Sequence, residues 1–246
     1  MRNIWFKTAI TISTMLFFTT GCNSITKENL LDEMNETAET IETYMVENTI
    51  SVQVTETNGH VQDYGGLTVQ GQIDLKESKG FIEMHEDYIT EQYETFAYFN
   101  GDEHFVNWLG NGWYPESWTT EQMHFYFLTD YNLVVDAINS ITVPINANYE
   151  ETRDYYLLNY TEYNAEAFEK FAQILGFDLY EDVIKEMHLT MQFQKKPFAL
   201  QKLEFTLIEE ANGVTREAVM EIEFQRVNED FEIEVPYDII GEEDQL

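Results

Sequence analysis

Residues 188–195 read HLTMQFQK, and the chain from here to Phe224 decides the fold. Leu189, Met191 and Phe193 fall on alternate positions of this stretch, with polar residues between them. Successive side chains of a β-strand point to opposite faces of the sheet. The stretch therefore predicts a strand with one apolar face and one polar face.

The same alternation recurs in the two segments that follow. Residues 202–208 read KLEFTLI, the pair Asn212-Gly213 comes next, and residues 220–224 read MEIEF. An Asn-Gly pair between two alternating runs is a strong signal of a β-hairpin. The apolar face of this hairpin carries Leu203, Phe205 and Leu207 on one strand and Met220, Ile222 and Phe224 on the other.

The rest of the chain mixes strand and helix patterns. Strand patterns cover residues 50–54, 69–75, 81–84, 93–99, 154–161 and 231–235, with turn or break signals at Asn58-Gly59, Gly65-Gly66, Asn100-Gly101 and Asn111-Gly112. Helical spacing of apolar residues covers 27–47, 120–139 and 164–175. A long sheet with one apolar face must bury that face against other secondary-structure elements. We therefore predict an α+β fold: a strongly curved antiparallel β-sheet, or half-barrel, with helices packed in its concave face.

The first 22 residues have the parts of a secretory signal peptide. Arg2 and Lys7 precede an apolar stretch that is short of the roughly 20 residues a membrane-spanning helix needs. Small residues then lead to Cys22, the only cysteine. The pair Gly21-Cys22 resembles the bacterial lipobox, in which the thiol is diacylated and the chain is cut before the cysteine. The alternative is a free or buried thiol in an uncleaved anchor.

The lipobox resemblance implies that the mature protein is lipid-anchored through Cys22 on the outer face of the cell membrane. Two acyl chains give stable attachment where one does not. The expected organisation is a signal peptide at 1–21, a short tether at 22–27, a single domain at 28–240 and an acidic tail at 241–246.

The chain is strongly acidic but rich in core-forming residues. Residues 1–21 carry two positive charges and no acid, so their removal changes the formal net charge from −33 to −35. Such a surface repels nucleic acid and anionic headgroups, and neither is an expected partner. Hydrophobic content of 43 % and aromatic content of 15 % argue against disorder. Three interpretations of the acidity stay open: a solvated coat, loose binding of divalent cations, and recognition of a basic partner.

No motif for catalysis or for a cofactor is present in the sequence. The five histidines, His60, His85, His104, His124 and His188, are scattered, and no cysteine remains after lipidation to share a metal. G-x-S-x-G, Walker and G-x-G-x-x-G motifs are absent. We therefore expect no metal site, no cofactor and no enzymatic activity. A pair of glycosidase-type carboxylates from distant strands is the one catalytic alternative left open.

The order of elements resembles that of a class of exported bacterial proteins. An N-terminal helix, meandering strands, a helical middle and long final hairpins are similar in layout to the LolA/LppX-like lipoproteins. The phrases NGWY at 111–114 and IEVP at 233–236 are similar too. The resemblance implies a half-barrel closed by helices, with a cavity that carries acyl chains or another apolar ligand. An acidic lipoprotein without disulfides fits a Gram-positive exterior.

An apolar hollow remains if the helices fill the curved sheet incompletely. Each buried methylene of an acyl chain would contribute about 0.8 kcal/mol there. The residues expected to line the hollow are Met191, Phe193, Leu203, Phe205, Met220, Ile222 and Phe224. The alternative is that these side chains fill a tightly packed core.

Three functions are compatible with these observations. The first is a non-enzymatic binder or carrier of a lipid or other apolar ligand. The second is a structural or interaction lipoprotein with a packed core that meets a protein partner in the envelope. The third is a hydrolase with dispersed carboxylates, which requires opposed acids with shifted pKa values in a cleft.

The exported chain is expected to begin at Cys22 and to carry two acyl chains on that thiol. Mass spectrometry of the intact protein extracted from membranes measures both properties together. An unmodified thiol at Cys22 would contradict the anchor.

Overall fold

The computed structural model describes residues 25–87, 91–141, 147–162, 169–174 and 183–239. Its strands are β1 (Thr43–Thr55), β2 (Val61–Asp74), β3 (Lys79–Asp87), β4 (Gln92–Asn100), β5 (Glu103–Asn107), β6 (Trp113–Pro115), β7 (Asn148–Glu151), β8 (Tyr155–Glu162), β9 (Ile184–Lys195), β10 (Phe198–Ala211) and β11 (Val214–Gln225). They form one antiparallel sheet in the order β6-β5-β4-β3-β2-β1-β11-β10-β9-β8-β7. The sheet is curved and unclosed, with β6 and β7 at its edges.

Four described helices accompany this sheet. They are α1 (Lys27–Ala38), α2 (Thr120–Phe127), α3 (Tyr131–Ser140) and α4 (Glu169–Ile174). Helix α1 contacts β10 and α3, and α3 contacts α4. Their apolar side chains join those of the strands in one core cluster. We call the face of the sheet that carries this core the inner face, and the opposite face the outer face.

Two tyrosines attach α3 to the inner face. The Tyr44 hydroxyl donates to the carbonyl of Thr129 at 3.0 Å and accepts from the backbone N–H of Tyr131 at 3.3 Å. The Tyr131 hydroxyl accepts from the backbone N–H of Leu200 at 2.8 Å, and its ring centroid lies 4.6 Å from that of Phe224. Burial raises the pKa of both phenols, so both remain protonated.

The first predicted helix is shorter than its pattern indicates. Helix α1 ends at Ala38, and Met45 lies in β1, whereas the helical spacing predicted one helix through residue 47. From Thr43 the chain pairs with β2 on one side, and from Met45 it also pairs with β11 on the other. Pairing on both sides satisfies the backbone hydrogen bonds of this segment, and this outweighs a local helical pattern.

The second predicted helix is divided in two. Thr119 caps α2 in a capping box with Gln122. The helix then ends because Leu128 adopts the left-handed conformation, and the Asp130 carboxylate accepts from the N–H of Asn132 to begin α3. Of the third predicted helix, residues 169–174 are helical, and the remainder lies outside the described residues.

Two further predictions differ from the structure. The predicted break at Gly65-Gly66 is a bulge inside β2, where the register with β1 shifts between Val52 and Gln53. The predicted strand at 231–235 is irregular. Strand β11 is paired with β1 on one side and with β10 on the other. The chain that follows β11 therefore cannot pair with it as a further strand. This following chain, residues 226–239, is called the C-terminal segment.

Gly80 lets the ring of Phe99 lie across the inner face of β3. A Cβ at Gly80 would lie 2.3 Å from that ring, which is buried and packed edge-on against His124. Gly80→Ala is therefore expected to destabilise the fold by about 1–3 kcal/mol, measured by urea unfolding. Gly71→Ala is the matched control with a smaller expected loss, because its Cβ would meet Val46 at 2.9 Å. Unchanged stability of the Gly80→Ala protein would contradict this packing.

Candidate ligand-binding groove

The seven residues expected to line an inner hollow all lie on the inner face. Each of them is at most 3 % exposed: Met191, Phe193, Leu203, Phe205, Met220, Ile222 and Phe224. The strand register brings them together, since Leu203 lies opposite Met191 on one side and Ile222 on the other. The sequence therefore identified a real cluster of neighbouring side chains.

Aromatic rings and helices pack around this cluster. The ring centroid of Phe205 lies 5.0 Å from that of Phe171 in α4, and the ring of Phe224 contacts Tyr131 in α3. None of the seven residues lines the outer groove or the other four depressions found along the described chain. Residues 142–146, 163–168 and 175–182, which adjoin the helices in sequence, lie outside the described part. A ligand hollow lined by these seven residues therefore stays a prediction.

A groove of about 650 Å³ lies on the outer face. Strands β2 to β6 form its floor, and the C-terminal segment forms its wall. The lining residues are Gln72, Phe81, Phe96, Asn107 and Trp113 on the floor, with Glu232, Glu234, Val235, Pro236 and Tyr237 on the wall. This volume falls in the range of small-molecule sites, roughly 300–1,000 Å³. We call this site the outer groove.

The floor of the outer groove is an aromatic surface on neighbouring strands. Asn107 lies opposite Phe96 on one side and Trp113 on the other, so these three side chains form a row across β4, β5 and β6. The ring of Phe81 stacks on that of Phe96, with centroids 6.4 Å apart and planes 23° apart. Three rings and two side-chain amides therefore face the groove together.

The C-terminal segment is held against the sheet by polar contacts. The Asn228 side-chain oxygen accepts from the backbone N–H of Glu42 at 2.7 Å, and the Thr43 hydroxyl donates to the carbonyl of Glu229 at 2.9 Å. Further along, the Lys79 ammonium donates to the carbonyl of Ile233, which is itself buried. The wall of the groove is thus fixed at its start and at its middle.

Tyr98 indicates how closely this part of the outer face is covered. It lies on the outer face between Phe81 and Phe105, and it is only 3 % exposed. Burial raises the pKa of its phenol, with a smaller contribution from the charge of Glu103. The outer face near the groove is therefore partly shielded from solvent.

The outer groove carries negative charge. Glu232 and Glu234 stand on its wall and are exposed to solvent. No lysine, arginine or histidine is among the described residues that line it. An anionic ligand would meet repulsion in the groove, and a neutral or cationic ligand would not.

The aromatic residues between 105 and 118 contribute to two separate sites. Trp113 lines the outer groove, whereas Trp118 lines a second depression of about 480 Å³ beside α2, together with Phe125 and Tyr126. Trp108 packs on Trp118 and against the core.

The two buried histidines, His104 and His124, lie beside threonine hydroxyls and aromatic rings of the core. His104 Nε2 lies 3.0 Å from the hydroxyl of Thr120, and His124 Nδ1 lies 2.9 Å from the hydroxyl of Thr129. Both rings contact Phe99 in the core. Within the described ranges, no three His, Cys, Asp or Glu side chains come together as a metal site would require.

The predicted lipid attachment residue, Cys22, lies outside the described residues, so its modification stays a prediction. Of the helices that the structure describes, none has the length and apolar character needed to cross a membrane.

Comparisons with known proteins give only distant similarities. No protein-family model matches the chain, and no curated protein is significantly similar to it. Similar solved structures include a DUF1329 family protein from Desulfovibrio piger, which is 9 % identical, with 84 % of this chain and 92 % of that chain covered and a TM-score of 0.26. The ywiB protein from Bacillus subtilis is 7 % identical, with 76 % and 96 % covered and a TM-score of 0.20. At these TM-scores the similarities carry no argument about function.

Acidification is expected to destabilise the fold through His124. Burial lowers the pKa of this imidazole, whose Nε2 has no hydrogen-bond partner among the residues that the structure describes. The unfolded chain, with a histidine pKa of about 6.5, therefore takes up this proton before the folded chain does, and stability is lost as the pH falls through 6.5 toward the folded pKa. Urea unfolding at pH 7.5 and pH 5.5 should show a larger loss for the wild type than for His124→Gln. Equal losses would contradict this assignment.

Proposed function

We propose that this chain is a membrane-anchored lipoprotein of the outer cell surface that binds an apolar ligand in the outer groove and catalyses no reaction. The proposed anchor is the diacylated thiol of Cys22. In this proposal the helices occupy the concave face of a half-barrel, so that the outer groove lies on the convex face.

The observation that carries the proposal is the aromatic floor of the outer groove. Elsewhere the outer face is mostly polar: on β9 to β11 it presents Thr190, Gln192, Glu204, Thr206, Glu221 and Glu223. Large apolar side chains grouped on a solvent-facing surface mark binding sites, because exposing them to water is unfavourable. The C-terminal segment covers them only in part, and its own Tyr237 is 75 % exposed. The groove therefore offers apolar surface that a ligand can bury.

The outer groove is a better supported site than an inner hollow. An acyl chain on the inner face would need space beside residues such as Phe205 and Phe224, and other rings pack against both of these. A ligand on the outer face also differs from the internal cavity that the resemblance to LolA/LppX-like lipoproteins implies. The proposal keeps the binding of an apolar ligand but places the binding site on the outer face instead of the inner face.

The proposed anchor would leave the outer groove accessible from outside the cell. The hydroxyl of Tyr149 donates to the carbonyl of Ile25 at 2.8 Å, and the N–H of Ile25 donates to the hydroxyl of Tyr156 at 3.3 Å, so Ile25 is held at the β7–β8 edge. Cys22 precedes Ile25 by three residues, which reach at most about 11 Å. The groove strands lie toward the other edge, roughly 30 Å away along the sheet at about 4.8 Å per strand.

Dye binding tests the site. The mature chain with Cys22→Ser lacks acyl chains and keeps every described residue, and we expect it to bind the neutral dye N-phenyl-1-naphthylamine with increased fluorescence. Phe96→Gln should weaken binding about tenfold, because it removes apolar contact worth about 1.5 kcal/mol. The control is Phe125→Gln, which changes an aromatic residue exposed on α2.

Two outcomes would contradict the proposal. Equal dye affinity in the Phe96→Gln and Phe125→Gln proteins would mean that the outer groove is not the site. No dye uptake by the Cys22→Ser parent would reject apolar ligand binding and would favour the structural or interaction lipoprotein.

A further inference from the structure

Building on the proposed function, we infer that the outer groove selects an organic cation, namely a quaternary ammonium group of the choline type. Three features carry this inference: the arrangement of the rings, the charge of the wall, and the way in which such a cation is hydrated.

The floor of the groove brings three aromatic rings to one site, those of Phe81, Phe96 and Trp113. The face of an aromatic ring carries negative charge density, and it attracts a cation within about 6 Å of its centre, most strongly for tryptophan. The rings of Phe81 and Phe96 are nearly parallel neighbours, and Trp113 belongs to the same row as Phe96. The centroids of Phe81 and Phe96 lie 6.4 Å apart, so one cation of several ångströms in diameter can lie within reach of both rings.

The wall adds negative charge next to the rings. Glu232 and Glu234 line the groove, whereas the Lys79 ammonium, which donates to the carbonyl of Ile233 between them, is not among the described lining residues. The whole chain has a formal net charge of −33, which raises the local concentration of cations and lowers that of anions. Charge and ring faces therefore favour the same kind of ligand.

The chemistry of the floor distinguishes among cations. A metal ion needs several oxygen or nitrogen ligands around it, and the described part of the chain assembles no such cluster. A lysine ammonium has three N–H donors that need acceptors, whereas on the floor the Asn107 side-chain oxygen already accepts from the N–H of Gly112, which leaves the amide oxygen of Gln72. A quaternary ammonium group has no N–H, is weakly hydrated, and loses little when aromatic rings replace its water. It is the cation that best suits this floor.

Calorimetric titration with a matched pair of ligands tests the inference. The mature Cys22→Ser protein is titrated with choline and, separately, with 3,3-dimethylbutan-1-ol, in which carbon replaces the charged nitrogen. Both titrations are made at the same ionic strength. We expect choline to bind about tenfold more tightly, since the two ligands have the same shape and differ in charge.

Two substitutions locate the effect. Trp113→Leu keeps an apolar side chain but removes a ring, so it should weaken choline binding about fivefold and change binding of the alcohol little. Glu234→Gln should also weaken choline binding. Glu150→Gln, the same change at an exposed site on β7, is the control and should have no effect.

The outcomes separate this inference from the function on which it rests. Equal affinity for choline and the alcohol would overturn the cation inference and leave an apolar binding groove in place. Binding of a tetralysine peptide without binding of choline would also overturn it, in favour of a basic protein partner. Failure of every ligand here would end the inference, while the dye experiment decides independently whether the groove binds apolar molecules.

Discussion

Alternation of side chains along paired strands is the constraint on which the rest of this structure depends. In β10 the inner face takes Leu203, Phe205 and Leu207, while Glu204 and Thr206 point outward. A shift of one residue in any strand would exchange the two faces and put charge into the core. The pairing of β1 with β11 joins the first and last thirds of the chain, so the register of one third fixes that of the other.

The position of the outer groove depends on where the strand pairing places the C-terminal end of β11. Strand β11 ends in the middle of the sheet, between β1 and β10, and the helices already occupy the inner face. The C-terminal segment, residues 226–239, crosses the outer face, where Asn228 and Lys79 fix its path. The crossing chain provides a wall beside the aromatic side chains of β3, β4 and β6. The outer groove is thus a consequence of topology rather than of any local motif.

The sequence predicted the face of each long strand but not the partners of each segment. The inner residues of β9 to β11 and the turn at Asn212-Gly213 were predicted because both signals are local. The end of α1 and the irregular conformation of residues 231–235 depend on which strand edges are already paired. A local sequence pattern does not contain this information. Glu209 lies two residues after Leu207 and therefore on the same face, so this carboxylate is buried and pairs with Arg216 at 2.9 Å. The sequence also contains a weak indication of the outer groove. Phe81 and Phe96 are large apolar residues at positions of their strands that face outward, where polar residues are expected.

Thiol reactivity along β10 tests the alternation most directly. In the Cys22→Ser background the chain has no cysteine, so single substitutions Leu203→Cys, Glu204→Cys, Thr206→Cys and Leu207→Cys each report one position. The account predicts that residues 204 and 206 react rapidly in the folded protein. Residues 203 and 207 should react about a hundredfold more slowly until urea unfolds the chain. Equal reactivity at all four positions, or protection with a helical period, would contradict the account.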